Sequence, residues 1–188
     1  AITKTAACGE IDALDPGGVG AVTITKSSTL DGTGTFASIL ASGSNGININ
    51  VAATDFVTIR GISINGSGSS CSFGVNGINV INTGPKDVNI EDCVIAHFTT
   101  GVNVNVTSTT QLNIRNTVIR DNSGDGVAAS TSSGQVKGSF VNSSFNGNSN
   151  GLHAGHSARI SADQCNFACN SSDRVLADGS TGVANITN

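Results

Sequence analysis

The stretch Gly77-Ile78-Asn79-Val80, followed by Val88-Asn89-Ile90-Glu91-Asp92-Cys93-Val94-Ile95, holds a pattern that recurs along most of the chain. Gly46, Gly77, Gly101, Gly126 and Gly151 lie 31, 24, 25 and 25 residues apart, and each precedes an aliphatic residue. A period in this range marks stacked supersecondary units. After each glycine the chain alternates: Ile47 and Ile49, Ile78 and Val80, Val102 and Val104, Val127 and Ala129, and Leu152 and Ala154 flank Asn48, Asn79, Asn103, Ala128 and His153. Strict alternation is the signature of a strand with one buried face.

The second half of each unit repeats as well: Val57, Ile59, Ile62, Ile64; Val88, Ile90, Cys93, Ile95; Leu112, Ile114, Thr117, Ile119; Gly138, Phe140, Ser143, Phe145; Ile160, Ala162, Cys165, Phe167. The spacing runs 2, 3, 2. The extra residue in the middle reads as a bend joining two short strands whose inward faces share one interior. Three short strands per unit describe a coil of a parallel β-helix, in which winding supplies the return path and each strand pairs with its counterpart one coil later. A helical solenoid fails, because no window keeps apolar residues at helical spacing while Gly, Asn, Ser and Thr saturate the chain. The reading is therefore all-β: a single parallel β-helix domain over residues 1–188, with about six coils and a height on the order of 30 Å.

At the N-terminus, residues 1–9 are predicted to form a cap, with a short helix over 1–8 carrying Ile2 and Ala6 on one face and ending near Gly9. Glu10–Leu14 then reads as a strand, Asp15–Gly18 as a turn and Val22–Ile24 as the next strand. The longest coil carries an insertion between Asn65 and Asn76, expected as a loop at one corner. Near the C-terminus, Gly182-Val183-Ala184-Asn185-Ile186 restarts the glycine-aliphatic pattern without a capping helix after it. The expectation is that a longer protein continues or that this open coil stacks against another molecule, making a homo-oligomer.

The opening, a short helix then Gly-Glu-Ile-Asp, Pro-Gly, Val-Thr-Ile-Thr-Lys-Ser and Leu-Asp-Gly, resembles the N-terminal coil of right-handed parallel β-helix proteins of the pectin lyase-like superfamily. The resemblance is closest to bacterial β-helix repeat proteins without an assigned reaction. It implies a right-handed winding. It also implies what an enzyme of this group would use: clustered acids holding calcium with an Arg as base in pectate lyases, and several Asp on neighbouring coils in polygalacturonases. Export, as a secreted or cell-surface protein, agrees with the resemblance and with the Ser-, Thr-, Asn- and Gly-rich composition.

Stacking the repeats puts Arg60, Glu91, Arg115, Val141 and Asp163 in one outward column, read as a ladder of surface ion pairs or else as one wall of an active groove. The next column, Gly61, Asp92, Asn116, Asn142 and Gln164, falls at the bend, where left-handed backbone and an amide ladder are expected. Arg120, Asp121 and Asn122 follow the third strand, near His97 of the preceding coil. If the chain is an enzyme, its set is Arg115, Arg120, Asp121 and His97, with calcium only in the lyase case. His156 and Arg159 only faintly resemble polygalacturonase elements, and the adjacent aspartate pair of those enzymes is missing. Asp121 and Asp125 are the pair a glycosidase would need, but nothing in the sequence sets their separation.

His153, His156, Cys165 and Cys169 have the ligand types and spacing of a zinc site. The repeat argues against it, because Cys165 falls in an inward column and His153 points outward from another strand. Of five cysteines at least one is unpaired, and Cys165 with Cys169 across a turn is the pairing the spacing allows. A net charge of −4 argues against a nucleic-acid backbone or an anionic membrane as partner, and no apolar run is long enough to span a bilayer. With no Trp and no Tyr, sugar rings lack their usual aromatic platforms. Thr23, Thr25 and Thr58 face outward, but no Thr ladder is sustained as ice binding would need. Two readings follow. One is a non-catalytic scaffold or surface interaction protein, and the other a lyase or hydrolase of acidic glycans.

Overall fold

The computed structural model describes residues 1–67, 73–179 and 181–187. The chain winds through three parallel sheets for about six turns, and no helix occurs among the described residues. Sheet A stacks Gly9–Asp12, Ser28–Asp31, Phe56–Arg60, Asp87–Glu91, Thr110–Arg115, Val136–Val141, Ala158–Asp163 and Val183–Thr187. Sheet B stacks Gly17–Gly18, Ala37–Leu40, Ser63–Asn65, Val94–Ala96, Val118–Arg120 and Ser144–Asn146. Sheet C stacks Val22–Ile24, Ile47–Ile49, Gly74–Val80, Phe98–Val106, Asp125–Thr131, Asn150–Ala154 and Val175–Ala177. The chain visits A, B and C in that order in each of the first six coils, makes only an isolated bridge at the sheet B position after Ala158–Asp163, and every strand pairs only with its counterparts one coil away.

The register follows the repeat residue by residue. Val57, Val88, Leu112, Gly138 and Ile160 pair in succession, as do Ile59, Ile90, Ile114, Phe140 and Ala162. Ile47, Ile78, Val102, Val127 and Leu152 form the matching column of sheet C. Apart from Gly138, which has no side chain to contribute, these columns are buried and line the core along the length of the tube. Phe140, Phe145 and Phe167 continue the filling towards the C-terminal end, with ring centroids 5.6 and 5.0 Å apart.

The recurring glycine has a steric cause. A Cβ on Gly101 would lie 2.5 Å from the carbonyl oxygen of Gly126 in the next coil, and one on Gly126 would lie 2.5 Å from that of Gly151. Any side chain there pushes two coils apart.

The bend between sheets A and B passes through Gly61, Asp92, Asn116, Asn142 and Gln164, all with φ between 49° and 66°. The left-handed expectation holds for this column, but the amide ladder does not run here. These side chains are exposed at the corner, except for the glycine, so water competes for their amides. The ladders run instead through Asn48, Asn79 and Asn103 on sheet C (3.3 and 2.8 Å) and through Thr58, Asn89 and Asn113 on sheet A (3.5 and 2.9 Å). Just inside the bend, Thr117 and Ser143 occupy the inward column. Thr117 Oγ1 accepts from the Cys93 N–H and donates to the Arg115 carbonyl, and Ser143 Oγ does the same for Thr117 and Val141. Their hydroxyls are buried but satisfied, which is why the column admits them.

The N-terminal segment departs from the predicted helix. Residues 1–8 form turns, with the Lys4 and Thr5 N–H groups both donating to the Ala1 carbonyl. Eight residues carrying β-branched Ile2, Thr3 and Thr5 are too few to repay helix nucleation, and Lys26 Nζ takes the Thr5 carbonyl from the side. Ile2 still packs on the first coil while Ala6 is exposed. The insertion leaves sheet B after Asn65 and enters sheet C at Gly74. Most of it, residues 68–72 with Cys71, lies outside the described residues.

Gly101→Ala is expected to destabilise the protein by roughly 1–3 kcal/mol in urea unfolding, the usual scale for overpacking. Gly18→Ala, whose Cβ would meet nothing closer than 3.7 Å, is the control and should change little.

Candidate functional site

The chain leaves sheet B through a left-handed residue in each middle coil. His97, Asp121, Gly147 and Cys169 hold this position with φ of 65°, 54°, 66° and 56°. The residues that follow turn inward and replace the backbone hydrogen bonds that the corner interrupts. Asn122 Oδ1 accepts from the Phe98 N–H (2.9 Å), Asn148 Oδ1 from the Asn122 N–H (3.2 Å) and Nδ2 (2.8 Å), and Asn170 Oδ1 from the Asn148 N–H (3.0 Å). Asn148 Nδ2 in turn donates to the Ile119 carbonyl at 3.2 Å. This amide ladder is the floor of a groove.

The groove encloses about 380 Å³ and is lined by Phe73, His97, Asp121, Ser123, Gly147, Ser149, Cys169 and Ser171 above the asparagines. Gly147 leaves its centre open, since a Cβ there would lie 2.7 Å from Asp121 Oδ1. Arg120 Nη1 donates to Asp121 Oδ2, with both side chains about half exposed, so the carboxylate already has its counter-ion. His97 Nδ1 lies 3.2 Å from Asn65 Oδ1 of the preceding coil.

Of the four residues expected for an enzyme, His97 and Asp121 share this groove and Arg120 is bound to its rim. Arg115 is elsewhere, at the end of its strand in sheet A. Asp125, the other half of the proposed glycosidase pair, is engaged on sheet C by Asn150 Nδ2 at 2.7 Å and His153 Nδ1 at 3.1 Å. Sequence reasoning missed Phe73 and the serines, and considered Cys169 only as a zinc ligand or a disulfide partner. The serines had a signal, since Asn-Ser recurs at 122–123, 148–149 and 170–171 in step with the coils.

The outward column of sheet A is in the expected register, but its ion pairs are made by Arg60 alone among the described residues. Arg60 Nε donates to Asp31 Oδ2 at 2.7 Å and Nη2 to Glu10 Oε2 at 3.2 Å. Glu10, Asp12 and Asp31 have carboxylate oxygens within 4.8 Å of one another, a grouping with the guanidinium already bonded to two of its members. Burial opposes the charge on Asp31, yet hydrogen bonds from Thr33 and Arg60 outweigh it and hold the carboxyl below its usual range.

The residues considered for zinc are spread over different parts of the coil. His153 lies on sheet C between Asp125 and Asp178, Cys165 donates to the Asp163 carbonyl just past the A–B bend, and Cys169 lines the B–C groove. His156 follows the sheet C strand, its carbonyl accepting from the Thr131 N–H. Cys165 and Cys169 are free thiols, as are Cys8 and Cys93. Burial pushes the Cys93 thiol up to about 11, so it behaves as a small apolar residue.

Asn148→Ala would strand the Asn122 N–H beneath the groove. It should cost at least the penalty of one buried unsatisfied group, about 1–3 kcal/mol in equilibrium unfolding. Comparison with protein families, curated proteins and solved structures finds no match to this chain, so its own geometry, a parallel β-solenoid with a polar corner groove, carries the functional reading.

Proposed function

We propose that this chain is a non-catalytic β-helix scaffold, secreted or displayed at a cell surface, that interacts through its regular outer faces. One observation carries the reading: the carboxylates considered for catalysis or cation binding are bonded to neighbouring side chains rather than left open to a substrate. Asp121 is paired with Arg120, Asp125 with Asn150 and His153, and Asp31 with Arg60. A glycosidase needs two carboxyls facing one cleft, and Asp121 is the single carboxylate lining the corner groove among the described residues. A right-handed winding of the pectin lyase-like kind belongs to the same proposal. It is supported by the opening motifs and by the strong preference of parallel crossovers for that hand.

The second reading, a lyase or hydrolase of acidic glycans, is favoured by the groove itself, which places His97 and Asp121 side by side along an open polar channel. The deciding assay is a panel of pectic and other glycans, with and without calcium. No turnover is expected, and cleavage abolished by Arg120→Ala or Asp121→Ala would establish the enzyme instead.

For the partner, the proposal is a second copy meeting the outer edge of Val183–Thr187, which has no further strand on that side among the described residues. Light scattering should then give a mass above that of one chain, and a monomer at high concentration would remove this part of the proposal.

A further inference from the structure

We propose that His153 is a pH-operated latch that fastens the last coil, Val175–Thr187, to the coils before it. The imidazole bridges three coils: Nδ1 lies 3.1 Å from Asp125 Oδ2 one coil back, and Nε2 lies 3.0 Å from Asp178 Oδ1 one coil forward. Both nitrogens face carboxylates, which only accept hydrogen bonds, so both contacts are made at once only when the ring carries two protons.

The surroundings are arranged for this contact. In register, Ala128 sits directly before His153, at the position where the preceding coils carry Asn79 and Asn103. The asparagine ladder stops there, and the methyl leaves room for the ring to reach back to Asp125. Asn150 Nδ2 holds the other oxygen of Asp125 at 2.7 Å and so fixes the orientation of that carboxylate.

The charged groups facing the ring are Asp125 from the strand before and Asp178 from the end of the strand after. Asp173 and Arg174, which precede that last strand, reach the His153 strand through backbone carbonyls, accepting from the Gly151 and Leu152 N–H groups. The adjacent sheet B strand Ser144–Asn146 has no charged residue, and Arg159 and Asp163 belong to the register of sheet A. Burial alone would disfavour the charged ring, but the hydrogen bonds to Asp178 and Asp125 outweigh it and raise its titration above the ordinary imidazole range.

The raised titration sets the direction. The stability that the charged ring contributes is fully present below the ordinary imidazole pKa and is lost as pH rises through the raised one. A neutral ring keeps a single N–H. Asp125, less exposed and already fixed by Asn150, retains it, and the more exposed Asp178 lets go. No side chain of Val175–Ala177 or Val183–Thr187 is fully buried, and Ile186 is 41% exposed, so the tie acts where packing is light.

The experiment is amide hydrogen exchange of Val175–Ala177 and Val183–Thr187 from about pH 5.5 to about pH 8.5, bracketing the imidazole range. Rates are corrected for intrinsic exchange and referred to the sheet C core at Val102–Val106. The wild type should open more at the high end by roughly two- to fivefold, the span a partly exposed ion pair supplies. His153→Gln should remove the pH dependence. Asp178→Asn should also flatten it while keeping the coil fastened, because a carboxamide accepts from the protonated ring and donates to the neutral one. A wild type without slope, or either variant with the wild-type slope, overturns the proposal. So does an NMR titration of the wild-type ring with its midpoint at or below that of free imidazole.

Discussion

The backbone of each strand finds its hydrogen-bond partners only in the coil above and the coil below. Everything else in this molecule is subordinate to that constraint, because parallel pairing one coil apart forces equivalent residues to lie directly over one another. A residue type that suits one coil must suit its neighbours at the same height. Glycine recurs where the next coil's carbonyl occupies the place of a Cβ, and aliphatic side chains recur where the columns close over the axis.

The corners are where this constraint is hardest to meet, since a bending chain cannot keep its ladder. Two of the three, the A–B bend and the B–C corner, are solved in successive coils by a left-handed residue followed by a side chain that stands in for the backbone. At the A–B bend these are the hydroxyls of Thr117 and Ser143, and at the B–C corner the amides of Asn122, Asn148 and Asn170. The polar atoms of these side chains thus lie inside the tube with their hydrogen bonds made. The corner groove is the outer side of the same device: His97, Asp121, Gly147 and Cys169 face it because the residue after each one turns in. Its residues are placed first by the demands of winding.

The charged side chains follow a related logic. Arg60 ties the first coils together through Asp31 and Glu10, and His153 ties the last through Asp125 and Asp178. Both span coils near an end of the tube, where stacking is one-sided and burial is thinnest. The two ties differ in chemistry. A guanidinium keeps its charge at any pH the protein meets, whereas an imidazole gives it up near neutrality, so the N-terminal tie loosens only in acid, where its carboxylates protonate, and the C-terminal tie responds near neutral pH.

The sequence alone determined the coil, its columns and its inward faces, because a two-residue strand period and a 24- to 25-residue repeat in the middle coils are local facts that stacking merely superimposes. It also placed His97, Arg120 and Asp121 at one corner, since residues at equal height in neighbouring repeats must be neighbours in space. Only the tertiary structure decided what those residues bond to. Arg60 turns back to Glu10 and Asp31, the amide ladders run along strand positions and inside the B–C corner instead of the A–B bend, and His153 reaches past Ala128 to Asp125. Side-chain direction at a corner depends on backbone dihedrals and on what the adjacent coil leaves empty, and neither has a period to read. The N-terminal cap shows the same limit: apolar spacing admitted a helix there, and the choice of turns was made by β-branched residues, short length and the lysine of the coil it lies against.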